Sequence, residues 1–253
     1  MHASRLIAAA FLPFLACVAG AQHVGYEKRQ VNGLWFHAVI VNLNSENVKV
    51  TGVIARTPGR TEALETMLAR SNPTAAVCGT FFDTRTNFPV GDIVIEGRQV
   101  AEGLRGSCLV VDYFNRARIL DTKQGEKVDW SRYRFVLRAG VRILNAGKMY
   151  VYPQAQGFRD SRVWGNARRT AVGITPNNKL ILLVTDEPAQ LRDLVSAMKV
   201  FGARDAIALD GGGSALLYYR DRLLVQPRRR LTNILLIYEA PGAAWSNRPG
   251  AGQ

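Results

Sequence analysis

Short apolar runs, most of them β-branched or aromatic and broken by Gly, Pro, Asn or Asp, dominate the chain, which is the pattern of strands and turns. Strands are predicted over Val31 to Leu43, Val48 to Ala55, Ala75 to Cys78, Ile93 to Ile95, Cys108 to Val111, Ala117 to Leu120 and Phe135 to Leu137. The series resumes at Thr170 to Thr175, Leu180 to Val184, Ala206 to Leu209, Ala215 to Tyr219 and Ile234 to Tyr238. Only two segments carry helical spacing. Thr61 to Ala69 sets Leu64, Met67 and Leu68 on one face, and Pro188 to Phe201 does so with Leu191, Leu194, Val195 and Met198. In the second, Pro188 falls in the first turn and Gly202 just past the end. Both stripes read as core. Runs of strands with so few helices predict an α+β fold of mixed, largely antiparallel sheets with a few packed helices, in a single domain. Asn145 to Ala167 lacks clean periodicity and reads as a long insertion, a lid or binding loop. Its Tyr150, Tyr152, Phe158 and Trp164 either stack on sugar rings or are half-buried loop aromatics.

The two ends change the picture of where the protein works. Arg5 precedes an apolar run from Leu6 to Val18, and Ala19-Gly20-Ala21 has the small-x-small form of a cleavage site, so residues 1–21 read as a signal peptide. The run is short for a membrane span and contains Pro13. A lipoprotein signal at Phe14-Leu15-Ala16-Cys17 is the weaker fit, because Leu15 is bulky. Residues 22–240 form the predicted domain, of roughly 220 residues, enough for a sizeable core. Residues 241–253 are rich in Gly, Pro and Ala and read as a disordered tail. The expectation is a protein without a membrane span, secreted or periplasmic, its oligomeric state left open. Cys78 and Cys108 then remain of three cysteines, as one disulfide or as two buried thiols.

A net charge of +13, from 33 Lys+Arg against 20 Asp+Glu, points to anionic partners: phosphate-bearing polymers, acidic envelope glycans or nucleic acid. Nucleic acid is not expected, since no zinc-finger, RRM-like or basic-helix pattern is present.

The chemistry concentrates at strand ends. An apolar strand runs into Asp210, followed by Gly211, Gly212, Gly213 and Ser214. Glycines let backbone N–H groups approach a ligand and form a concavity for anionic oxygens. Asp210 at its mouth would be a base, a sugar-hydroxyl acceptor or a metal ligand; alternatively it bonds its own backbone in a tight turn. Three further segments share this character: Cys78-Gly79-Thr80-Phe81-Phe82-Asp83, followed by Phe88-Pro89-Val90-Gly91-Asp92; Arg168-Arg169-Thr170-Ala171-Val172-Gly173-Ile174; and Leu182-Leu183-Val184-Thr185-Asp186. A last one, Arg229-Arg230-Leu231-Thr232-Asn233, enters the final strand.

At these residues the chain resembles the phosphodiester glycosidase family. That family's pattern runs N-G-x-F-F, a glycine-rich turn, R-T-A-x-G, LDGGGS and a late R-x-x-x-N, in this order from about Val77 to about Ile237. The resemblance implies hydrolysis of sugar-1-phosphodiesters at the glycosidic side, by exported members acting on envelope or extracellular glycans. Catalytic carboxylates would be Asp210 first, then Asp186 and Asp83. Arg169 first and Arg229 second would hold the phosphodiester, because a guanidinium grips two phosphate oxygens. Asn233, Gly79, Gly211, Gly212, Gly213 and Ser214 would complete the substrate site. One residue departs: Cys78 stands where the pattern has Asn, a thiol in place of an amide. That favours a non-catalytic glycan- or phosphate-binding module as one alternative. Another is a metal-dependent phosphodiesterase with Asp83, Asp186 and Asp210 as ligands. No cofactor is required by the leading reading, although such oxygen ligands would suit Ca²⁺ or Mg²⁺.

Overall fold

The computed structural model describes residues 22–240, so the predicted signal peptide over 1–21 and tail over 241–253 lie outside the described residues. The chain opens with β1 (Val24–Val31), β2 (Leu34–Asn42) and β3 (Val48–Ile54), then α1 (Leu64–Ser71) and β4 (Ala75–Cys78). Next come β5 (Gly91–Ile95), β6 (Arg98–Leu104), β7 (Ser107–Asp112), β8 (Ala117–Leu120), β9 (Tyr133–Asn145) and β10 (Lys148–Met149). The final third holds β11 (Ala167–Ile174), β12 (Lys179–Ala189), α2 (Leu191–Val200), β13 (Asp205–Ala208), β14 (Leu217–Tyr219), β15 (Arg222–Val225) and β16 (Asn233–Glu239).

Two sheets face each other. The larger runs β1-β2-β12-β11-β13-β9-β5-β6, with β10, β7 and β8 attached beside β9; the smaller runs β15-β14-β4-β16-β3. Every strand pairing among the described residues is antiparallel, so the mixed component of the expected sheets is not found. Among the described residues the protein is largely β with two α-helices. The main core lies between the sheets, where Val39, Val172, Leu182 and Ile207 of the larger meet Val50, Val77, Leu217 and Leu235 of the smaller. Burying each such side chain contributes about 1.5–3 kcal/mol. Helix α2 covers the outer face of the larger sheet with Leu191, Leu194, Val195 and Met198. Helix α1 covers the smaller with Leu64 and Met67. Both apolar stripes are core, as their spacing predicts.

The local departures have local causes. Predicted as one strand from Val31, the N-terminal region is a hairpin: Asn32 (φ 52°) and Gly33 (φ 83°) turn the chain between β1 and β2. Two successive left-handed residues make a type I′ turn, the form an Asn-Gly pair favours. Strands β6, β10 and β15 also go beyond the predicted set. Pro188 lies in β12 rather than in the first turn of α2, whose start is fixed instead by a capping box between Gln190 and Asp193. The Asn145–Ala167 insertion contains a two-residue strand and a 3₁₀ turn at Ser161–Val163. Phe158 there is buried against Phe81, ring centroids 5.6 Å apart, while Tyr150 and Tyr152 are exposed. Neither cysteine is in a disulfide.

One buried ion pair braces the β5–β9 region. Arg138 donates to Asp92 Oδ2 at 2.9 Å and also to Thr122 Oγ1 and the carbonyls of Lys123 and Glu126, with both charged side chains essentially inaccessible. Asp92 also accepts from Trp130 Nε1 and from the Gly103 N–H. Removing one partner strands the other charge without solvent. Arg138→Met is therefore expected to lower unfolding free energy by about 3–5 kcal/mol, read from urea melts.

Candidate active site

Three chain segments meet where the two sheets join. Strand β13 continues through Leu209 to Asp210, and the glycine turn then carries the chain across to β14 in the smaller sheet. The Leu209 N–H donates to the Thr170 carbonyl on β11, and the Asp210 N–H to the Gly79 carbonyl just past β4. Asp210 is thus stitched to both sheets. Gly211 passes so close to β11 that a Cβ on it would lie 2.6 Å from the Arg168 carbonyl oxygen, and Gly212 adopts φ 55°. These contacts explain why the turn is glycine.

The Asp210 side chain is almost wholly buried, and each oxygen has a donor. Oδ1 accepts from the Gly211 N–H at 3.0 Å and Oδ2 from Arg229 Nη2 at 2.8 Å. Arg229 Nε donates to Ser214 Oγ at 2.6 Å, and Ser214 also hydrogen-bonds the carboxylate. The guanidinium lies 4.6 Å from the centre of the Phe82 ring, a cation–π contact. Burial pushes the Asp210 carboxyl above the usual aspartate range, and Arg229 pulls it partly back. Arg229 stays 36% exposed against 11% for Asp210, so solutes reach the cation first.

The remaining predicted residues divide into those gathered here and those used elsewhere. Arg168 and Arg169 are neighbours on β11 and point to opposite faces. Arg168 reaches the carbonyls of Gly212 and Gln226 and forms an ion pair with Asp186, which is half exposed. Arg169 donates instead to the carbonyls of Ala189 (3.0 Å), Val163 (2.8 Å) and Gly165. Its backbone adjoins Gly211, yet its guanidinium ties down the insertion and does not face Asp210. Asn233 clamps the next segment, accepting from the Thr80 N–H at 2.8 Å and donating to the Thr80 carbonyl at 3.3 Å. A Cβ on Gly79 would sit 1.9 Å from Asn233 Oδ1, so the clamp requires glycine there. Asp83 lies apart, accepting from the Arg85 N–H and side chain. Among the described residues no three His, Cys, Asp or Glu side chains converge on a common point, so Asp83, Asp186 and Asp210 do not form the ligand set of a metal phosphodiesterase.

Cys78 takes up the Asn position without opening the site. Its Sγ lies 2.6 Å from the Asp210 carbonyl oxygen and 3.1 Å from Thr170 Oγ1. Burial, with the Asp210 charge adding, pushes its thiol up to about 12. A thiol so protonated supports the turn and is no nucleophile. Two residues at the site stand outside the predicted set: Phe82, visible only as part of the Phe-Phe pair, and Arg168, hidden behind the motif residue beside it. A separate cavity of about 480 Å³ is lined by Asp92, Gln99 and Lys127, but Asp92 is already engaged by Arg138 and Trp130.

The phosphodiester glycosidase family model matches residues 71–238, spanning β4, the glycine turn and β16. The chain belongs to the phosphodiester glycosidase family. Among solved structures it is similar to the catalytic domain of zebrafish N-acetylglucosamine-1-phosphodiester alpha-N-acetylglucosaminidase, auto-inhibited by its pro-peptide, with 21% identity and a TM-score of 0.69 over 86% of this chain and 82% of that one. It is also similar to a hypothetical protein from Synechocystis, at 13% identity and TM-score 0.66, covering 86% of this chain and 62% of that one. No curated protein matches the chain. At these identities the structural likenesses establish the shared fold of phosphodiester glycosidases.

The thiols offer a direct check on the packing around Asp210. Burial pushes Cys108 up to about 12 as well. Both cysteines should therefore resist labelling by a thiol reagent at pH 8 and react together only on unfolding, as followed by absorbance against denaturant.

Proposed function

We propose that this phosphodiester glycosidase hydrolyses sugar-1-phosphodiesters at the glycosidic side, as an exported enzyme acting on phosphorylated envelope or extracellular glycans. The observation that carries this reading is the solvent-reachable Arg229 guanidinium fixed beside the buried Asp210 carboxylate. The chemistry follows from charge. A water oxygen bonds to the anomeric carbon while the bond from that carbon to the phosphate oxygen breaks, and its electron pair leaves with the phosphate. The diester becomes a monoester on the aglycone, and the sugar leaves with a free hydroxyl. Arg229 offsets the charge that develops on the departing oxygen, which needs little protonation, so a single carboxylate suffices. Asp210 takes the water proton and passes it to solvent. Ser214 and the Gly211 N–H hold Asp210 in place, and the N–H groups of Gly212 and Gly213 at the start of the 3₁₀ turn are further donors for the phosphate. Arg169 acts one step removed, by fixing the insertion.

A non-catalytic glycan- or phosphate-binding module is the second reading, favoured by the thiol at position 78. Turnover in ¹⁸O-water separates the two. The hydrolase reading predicts label in the sugar C1 hydroxyl. Label on phosphate means cleavage on the phosphorus side, and binding without turnover means a module.

Asp210→Asn should lower kcat by about 10²–10⁴-fold while the thermal melt stays cooperative. Arg229→Ala should lower kcat/KM for a phosphodiester by about 10²–10³-fold, and far less for an uncharged aryl glycoside of the same sugar. Activity that needs ionised Asp210 falls as pH drops through its folded pKa, which burial holds above 3.8. The acidic limb of kcat/KM should accordingly lie above the ordinary aspartate range, and Arg229→Gln should move that limb to higher pH in the residual activity. The stability linkage has the opposite sense to a salt-bridged surface aspartate. Because the native state holds this proton more tightly, Asp210's contribution to stability declines as pH rises through the window between the unfolded and folded pKa values.

A further inference from the structure

Beside the Arg229–Asp210 pair opens a cleft of about 420 Å³ between residues 81–85 and the 158–163 part of the insertion. That volume suits a small ligand. Phe82 belongs to both places, with its ring against the Arg229 guanidinium and the residue itself in the cleft lining. Half-buried Phe81 lines the cleft beside it, backed by buried Phe158, so that Phe81 and Phe82 offer the surface on which a sugar ring can lie.

The charges around that surface are uneven. Arg85, Arg105, Arg159 and Arg162 line the cleft, against Asp83 and Asp160 alone. Arg85 is paired with Asp83 and Arg162 with Asp160, and these arginines hold both carboxyls below the usual aspartate range. Neither Arg105 nor Arg159 has an ion-pair partner among the described residues. Two positive charges therefore remain in a concave site, where low-dielectric walls focus their field. The wall is also fixed in place. Arg169 holds the Val163 and Gly165 carbonyls from inside the fold, and Asp160 caps the 3₁₀ turn of Ser161–Val163 through the Arg162 N–H.

From these features we infer that the cleft is the aglycone subsite and that it takes a leaving group bearing a second phosphate, so the substrate class is an oligomeric sugar phosphate rather than an isolated phosphodiester. With the first phosphate on Arg229, the next one along the chain falls to Arg105 and Arg159, while the intervening sugar or polyol rests on the aromatic surface. This deepens the hydrolytic reading above and rests on it for the reaction, although not for the binding of the anion.

Two substrates with the same sugar test it: a sugar-1-phosphodiester with a methyl aglycone, and one whose glycerol aglycone carries another phosphate. The native protein should show kcat/KM at least about tenfold higher for the second, a ratio that shrinks towards one in R105A/R159A and in 0.5 M NaCl at about a 4 Å screening length. Calorimetry with propane-1,3-diol bisphosphate against inorganic phosphate supplies an arm that needs no turnover. Tighter bisphosphate binding that R105A/R159A abolishes supports the subsite even if neither substrate is cleaved, and the hydrolytic reading then fails alone. Equal use of the two substrates, or a preference that survives R105A/R159A, overturns the subsite while the hydrolase stands. Absence of both turnover and bisphosphate binding overturns both.

Discussion

A carboxylate buried at the junction of two sheets and held there by one guanidinium organises this molecule's chemistry. Left alone, Asp210 would be driven to protonate by desolvation, since burying an unpaired charge is costly. Arg229, Ser214 and the Gly211 N–H offset that burial. Their positions in turn depend on both sheets, because β13 delivers Asp210, the segment after β4 receives its N–H, and the approach to β16 carries Arg229. The sandwich thus sets the separation of the charged groups, and the glycines let the crossing chain come close enough to serve it.

Much of this is legible in the sequence where the signal is local. The strand endings, the apolar stripes of both helices and the Asp-Gly-Gly-Gly-Ser turn all follow from neighbouring residues, as does the ordered motif set that marks the family. What escapes is decided by tertiary partners. Arg168 and Arg169 are equivalent in a string of letters, yet alternation along β11 sends only one toward the glycine turn, while the other is captured by the insertion just before it and by the end of β12, twenty residues on. Asn233 reads as a substrate group because it is polar near a site. In the fold it is a clamp, for its side chain satisfies both backbone groups of Thr80 across 153 positions of sequence. The Asn32-Gly33 pair marks a turn in the sequence, but the strand before it is hidden because Glu27-Lys28-Arg29-Gln30 is charged and polar rather than apolar.

The exchange of an amide for Cys78 is instructive in the same way. From sequence it removes a donor and acceptor from a motif. In three dimensions the thiol lies against the backbone of Asp210 and the Thr170 hydroxyl, at the foot of the turn. The position keeps a role in holding the aspartate, and the exposed cation beside it is intact. The basic character of the chain also becomes specific, since many of its arginines hold carbonyls or carboxylates of their own fold, whereas Arg229, Arg105 and Arg159 retain surface that a ligand can use.

The decisive measurement is a crystal structure of the Asp210→Asn protein with an intact sugar-1-phosphodiester bound. The phosphate is expected within hydrogen-bond distance of the Arg229 guanidinium, with the anomeric carbon facing residue 210. A ligand phosphate bound elsewhere, with Arg229 still turned to residue 210 and Ser214 alone, would contradict the central claim.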